Sequence, residues 1–243
     1  MTAAKSWCLR RNAVVLDLGD NAYVAMALGG ETLALSRSAY EIHSLAISTG
    51  VEGAKRGISA RYNVPEARVA RDMKILKQRL CKAGILTRPG RHRPTARRFV
   101  AMVLAKLCAD GIARATSPIR QAEQAICWAR RAVMLADLES AIQGWCDVFG
   151  RSSDKQMMDC RPDLDALHGG IRRQALGVDC KVTSLAAFAL LRHLGQPATL
   201  HVGVRPYPLR AHAWCELAGI AVTDDSEMLL PMTEAFRFPD GSP

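Results

Sequence analysis

Asp179-Cys180-Lys181-Val182-Thr183-Ser184-Leu185-Ala186-Ala187-Phe188-Ala189-Leu190-Leu191-Arg192-His193 is the stretch on which the fold turns. Val182, Leu185, Ala186, Ala189, Leu190 and His193 recur at steps of three and four, the period of one helix face. Gly195 and Pro197 stop the run. Asp179 reads as the N-cap, which makes Cys180 the first helical residue. A thiol there meets the positive end of the helix dipole and unpaired backbone N–H groups. Both favour the thiolate, and the same N–H groups suit a developing oxyanion.

Strands follow this helix. Ala198 to Val204 alternates, with Ala198, Leu200, Val202 and Val204 on one face and Thr199, His201 and Gly203 on the other. Ala211–Glu216 and Ile220–Asp224 read as a hairpin around Leu217-Ala218-Gly219. A three-residue loop with Gly219 left-handed pairs Glu216 with Ile220 and brings His212 opposite Asp224. A two-residue Ala218-Gly219 turn shifts the register and puts Asp225 opposite His212. Alanine fits the first position of a primed turn poorly, which favours the longer loop and Asp224. Asp225 stays open as the alternative. A thiol on a helix, an imidazole on one strand and a carboxylate on the next are the parts of a nucleophile, its base and the base's orienter. The chemistry expected is acyl transfer or peptide hydrolysis through a thioester. Taken one at a time, a buried thiol, a core histidine and a turn aspartate explain these residues better. It is the ordered trio that favours catalysis.

The stretches Cys180–Ala186, His201-Val202-Gly203-Val204-Arg205, Ala211-His212-Ala213-Trp214-Cys215-Glu216 and Val222-Thr223-Asp224 resemble the transglutaminase-like leader peptidases of lasso-peptide biosynthesis, the B proteins. The resemblance covers roughly the last third of the chain. It implies Cys180 as nucleophile, His212 as base and Asp224 as orienter, with no metal or other cofactor. Lys181 departs from it, standing where that family usually has an apolar residue.

The N-terminal part reads as a second unit. Val14–Leu18, Ala22–Leu28 and Glu31–Leu35 are expected strands, followed by helices over Ser38–Ser48, Val51–Tyr62 and Pro65–Ala83. Gly84 ends the last helix, and Ile85-Leu86-Thr87 suits a short strand. Three strands, three helices and a small wing resemble the winged-helix-like, PqqD-type recognition element of peptide-modifying enzymes. That resemblance implies that a leader peptide adds as a strand beside Thr32, Leu33, Ala34 and Leu35, with Val69 and Met73 on the helix face closing the groove. For any one of these apolar residues plain core is the better reading, so the groove is assigned to the segment and not to each residue.

The expected organisation is α+β: recognition domain 1–88, basic linker 89–98 and cysteine peptidase domain 99–243. The basic run Arg88-Pro89-Gly90-Arg91-His92-Arg93-Pro94, then Arg97-Arg98, marks this junction. Phe99–Ala113 and Pro118–Phe149 are helical by spacing, with Trp128, Met134, Leu138, Ile142 and Trp145 as core. Arg151–Gly170 reads as a loop, and the tail after Pro231 as frayed.

Composition bounds the rest. The 243 residues suffice for two small cores. No run reaches the ~18 apolar residues of a membrane span, and no secretory h-region follows Lys5. The eight cysteines contain no C-x-x-C pair, which argues against a zinc site or disulfide framework and suits a cytoplasmic setting. The net charge of +10 suits an acidic partner or simply a basic surface. Three function classes remain: a leader peptidase, a transglutaminase-type acyl transferase, and a winged-helix DNA-binding regulator. The last Pro65–Ala83 helix carries Arg68, Arg71, Lys74, Lys77 and Arg79 all round, with no base-reading Asn or Gln cluster, which argues against nucleic acid as partner. The resemblance also implies an ATP-dependent macrolactam synthetase as partner. No phosphate-binding glycine loop is present here, so ATP would belong to that partner.

Overall fold

A computed structural model describes residues 7–87, 96–149, 169–173 and 179–239. The chain divides into two compact units, one taking in residues 1–92 with 206–209, the other 93–205 with 210–243.

In the first unit, β1 (Ala13–Asp17), β2 (Tyr23–Ala27) and β3 (Thr32–Leu35) form an antiparallel sheet in the order β1-β2-β3, so β3 is an edge. The β1–β2 connection turns because Asp17 Oδ1 accepts the Gly19 N–H at 3.0 Å and Asp20 and Asn21 take left-handed conformations. Three helices follow: α1 (Arg37–Ser48), α2 (Gly50–Tyr62) and α3 (Glu66–Lys82). Ser36 caps α1 by accepting the Ala39 N–H at 3.2 Å. Pro65 serves as the N-cap of α3 and so falls just outside the helix rather than in its first turn. Leu86 makes only an isolated antiparallel bridge to Leu9. The core gathers Ala25, Ile42, Ala54, Ile58, Leu76 and Leu80.

The second unit opens with α4 (Ala96–Arg114), α5 (Pro118–Ala136) and α6 (Leu138–Phe149). Arg97 and Arg98 belong to the first turn of α4, not to a linker. Arg98 makes a bidentate pair with Asp147 at 2.6 and 2.7 Å. Residues 88–95 lie outside those described. The helix expected over Pro118–Phe149 is two helices. Asp137 takes φ +75° between them, and its Oδ1 accepts the Ser140 N–H at 2.9 Å, ending one helix and starting the next. Trp128, Leu138, Ile142 and Trp145 are buried, with the two indoles 4.8 Å apart. Met134 is the exception: it is 76 % exposed, so it is not core. Gly144 lets α6 approach α4 closely, since a Cβ there would lie 2.7 Å from that of Ala101.

Helix α7 (Cys180–His193) is buried continuously from Val182 to Leu191. It packs against α5 and against two strands of a second sheet. That sheet runs β6-β5-β4-β7, all antiparallel, from β4 (Ala198–Arg205), β5 (Arg210–Leu217), β6 (Ile220–Ala221) and β7 (Thr233–Phe238). A short helix, α8 (Ser226–Leu229), precedes β7. Thr233–Phe238, within the segment expected to fray, is therefore a paired strand at the sheet edge; residues 240–243 lie outside those described. The loop expected over Arg151–Gly170 lies mostly outside the described residues; Gly169–Arg173 is one helical turn.

The β5–β6 hairpin departs from the expected loop. Leu217 pairs with Ile220 and Glu216 with Ala221, so the turn is the two-residue Ala218-Gly219. Both residues are left-handed, at φ +52° and +79°, the pattern of a type I′ turn. Ala218 accepts that strain because the primed turn matches the twist of the paired strands.

Candidate active site

Cys180 is the first residue of α7, as the pattern of Asp179 and the apolar run requires. Asp179 caps the helix through Oδ1, which accepts the Lys181 N–H at 3.0 Å; the Cys180 thiol lies 3.6 Å from the same oxygen. The cap thereby occupies the Lys181 N–H, which leaves the Cys180 backbone N–H as the donor the helix end offers to an oxyanion. Burial raises Asp179, but hydrogen bonding to the Lys181 amide and the Lys181 charge 3.6 Å away hold its carboxyl below the ordinary range. Lys181 thus offsets a carboxylate beside the thiol.

His212 lies on β5, paired with Gly203 of β4. Its Nε2–H donates to Asp224 Oδ1 at 2.9 Å. The other ring nitrogen, Nδ1, is left for Cys180. Hydrogen bonding to Asp224 first and to Cys180 second, over an opposing effect of burial, pushes His212 from 6.5 up to about 10. The ring is therefore an imidazolium at neutral pH. Burial raises Asp224, but the bonds from His212 and Thr223, with the charges of His212 and Arg172, bring it below the ordinary carboxylate value.

Asp224 reaches His212 without strand register. The two-residue turn would carry Asp225 opposite His212 if β6 continued, but pairing stops at Ala221. The Val222 N–H donates to the Cys215 carbonyl at 2.8 Å, and the chain then bends. Thr223 Oγ1 accepts the Cys215 N–H at 3.1 Å and donates to Asp224 Oδ2 at 2.8 Å. One carboxylate oxygen is thus tied to Thr223 and the other to His212. Asp225 is exposed and lies 3.6 Å from Arg172. Ser184 Oγ donates to the Ala213 carbonyl at 2.8 Å, pinning α7 to β5 one residue from His212.

The structure therefore brings Cys180, His212 and Asp224 together. Thr223 and Ser184 are supports that strand alternation and helix period passed over. For Ser184 the signal was a hydroxyl within an otherwise apolar, buried helix run. Nearby Cys215 is a poor competitor as nucleophile, because burial pushes its thiol well up. Among the described residues no group of His, Cys, Asp and Glu suits a metal ion. In the first unit, Val69 and Met73 are only 2 % and 4 % exposed and belong to the core. Thr32 to Leu35 do form an edge strand; Leu33 and Leu35 pack partly on that core, and Ala34 is exposed.

No curated protein and no solved structure matches the chain. A family model described as transglutaminase-like superfamily matches residues 125–237, a span that contains α7, Cys180, His212 and Asp224. Residues 125–237 are a transglutaminase-like superfamily domain.

Proposed function

We propose that this chain is a cysteine peptidase that binds the leader of a ribosomally made lasso-peptide precursor and cuts it at the leader–core junction. The observation that carries the reading is His212, bonded to Asp224 at 2.9 Å and raised further by the Cys180 thiol that opens a buried helix, inside a domain of a superfamily that generally comprises cysteine peptidases and acyltransferases.

The geometry supports the following reaction. The Cys180 sulfur, its proton held by His212, attacks the scissile carbonyl carbon, and the new oxyanion meets the Cys180 N–H. The C–N bond breaks as His212 gives its proton to the leaving amine. That frees the N-terminus of the core peptide and leaves the leader as a thioester. Water, deprotonated by His212, attacks the thioester; the C–S bond breaks, and the proton returns to the His212–Cys180 pair. Asp224 keeps Nε2 protonated throughout, so that Nδ1 does the transfers. The edge strand β3 supports leader binding by strand addition, with main-chain hydrogen bonds giving affinity. The freed amine is what an ATP-dependent macrolactam synthetase would consume, and we assign that enzyme as the partner.

The test uses a synthetic lasso-type precursor peptide, leader joined to core. Wild-type protein is expected to release leader and core by one cut, read by mass spectrometry, and Cys180→Ala to bind the precursor without cutting it. Cleavage by pure Cys180→Ala protein would remove the nucleophile. A product heavier by an added amine would make the chain an acyl transferase instead.

A further inference from the structure

A second histidine–carboxylate network lies on the sheet beside the triad. His201 of β4 is 1 % exposed. Its Nδ1 is 2.7 Å from Glu234 Oε2 of β7; its Nε2 is 2.8 Å from Thr199 Oγ1 and 3.4 Å from Glu216 Oε2 of β5. Arg237 holds Glu234 Oε2 from the far side at 3.3 Å. His201 stacks on Trp214, with centroids 5.3 Å apart and planes 13° apart. The Trp214 Nε1–H donates to Glu216 Oε1 at 2.8 Å. Three strands thus converge on one indole, fixing its face and its N–H end.

The opposite end of that indole is placed by Gly203. A Cβ at Gly203 would lie 2.9 Å from both Cζ3 and Cη2 of Trp214, so the benzo edge covers the glycine. Gly203 is the residue paired with His212, and Trp214 shares its face of β5 with His212 through the two-residue period. A residue with any side chain at 203 would push the ring off this spot. Burying a histidine and anchoring it with two carboxylates is expensive packing for a sheet that needs only apolar filling. Its result is an indole fixed two residues along β5 from His212, on the same strand face.

We propose that the Glu216–His201–Glu234 network positions Trp214 as a wall that keeps water from the His212–Asp224 pair. Trp214 is a positioning residue in this scheme and takes no part in the chemistry. The inference rests on the triad reading above. A charge-assisted bond keeps its strength only where water is excluded, so removing the wall weakens the hold of Asp224 on the imidazolium.

The experiment reads His212 without any substrate. Iodoacetate alkylates thiols, and its negative charge draws it to a cysteine beside an imidazolium. The alkylation rate of Cys180 therefore falls as pH rises through the titration of His212. The rate is followed by mass spectrometry on the tryptic peptide of residues 174–181, in which Cys180 is the sole cysteine. In the full-length wild type the fall is expected near 10. In Trp214→Leu it should move down by about one pH unit or more, and in Trp214→Phe, which keeps an aromatic wall, by only a few tenths. Glu216→Ala, which frees the indole N–H from a partly exposed position, should shift the fall the same way, and it decides the matter if Trp214→Leu does not fold. A plain filling role predicts a lower melting temperature with the fall unmoved. That outcome in folded Trp214→Leu, or in Glu216→Ala, overturns the wall. A wild type with no such fall overturns the triad reading, and this inference with it.

Discussion

Replacing Asp224 by Asn isolates the electrostatic part of the site. The amide keeps the shape and can still accept the Nε2–H of His212 through its oxygen, but the charge is gone. His212 stands at about 10 against an ordinary 6.5, and the bond to Asp224 is the largest cause of the rise. At about pH 8 an imidazole of pKa 10 is almost wholly protonated, whereas one returned to 6.5 is roughly 3 % protonated, so the imidazolium fraction falls up to roughly 30-fold. Cys180 also raises His212, so the true drop is smaller than this bound. Near pH 5.5 both proteins hold the proton and the difference should all but vanish. The sign for stability is the same: the proton on His212 contributes fully below 6.5, and that contribution is lost as pH rises through about 10. Asp224→Asn should therefore lose stability relative to wild type at neutral pH. The assay is Cys180 carboxymethylation from acid to about pH 10.5, paired with precursor cleavage over the same range. A variant that loses the same factor at every pH would show that Asp224 acts by shape alone. One with an unmoved basic fall would refute the electrostatic argument.

The other expectations concern the supports of the triad. Thr223→Val deletes the hydroxyl that joins the Cys215 N–H to Asp224 Oδ2. It leaves a buried donor unpaired at a cost of about 1–3 kcal/mol, visible in urea melts, and should bring the basic fall of His212 below the wild-type position. Thr223→Ser, which keeps the hydroxyl, should restore both, and failure of that rescue would remove Thr223 from the network. Ala218→Gly relieves the left-handed strain of the hairpin turn. It should stabilise the protein by up to about 1 kcal/mol without changing Cys180 reactivity, and a destabilised protein would count against the strained-turn reading.

The helix that Cys180 opens was legible because three independent signals agree on it: an Asp that caps, an apolar period that continues, and a Gly195 and Pro197 stop. The strands of the first unit were legible from alternation bounded by turn residues. Other elements were hidden for identifiable reasons. Thr233–Phe238 carries only partly buried apolar residues because it is an edge strand, so its alternation is weak and its position near the end of the chain suggested fraying. The break at Asp137 was missed because one left-handed residue and a side-chain cap interrupt a helix without disturbing the apolar spacing on either side. Met134 keeps the helical period of a core residue yet faces solvent, since sequence spacing does not say how wide the covered stripe is.

The choice of Asp224 over Asp225 shows what pattern reasoning can and cannot carry. Register predicts partners only while a ladder persists. Here it lasts two residues beyond the turn, so counting across the strands would have selected the exposed Asp225. What delivers Asp224 is a local device: the Cys215 amide seizes the Thr223 hydroxyl, and that hydroxyl in turn orients the next carboxylate toward the histidine. A strand would have fixed Asp224 by backbone bonds alone. A bend held by one hydroxyl fixes the carboxylate through its own oxygen atoms, which links its orientation directly to its charge. Beyond Cys180, His212 and Asp224 themselves, the site is therefore most sensitive at a residue with no chemistry of its own, and the loss on Thr223→Val should exceed that of any single apolar truncation on β4 in its effect on His212, though not in its effect on stability.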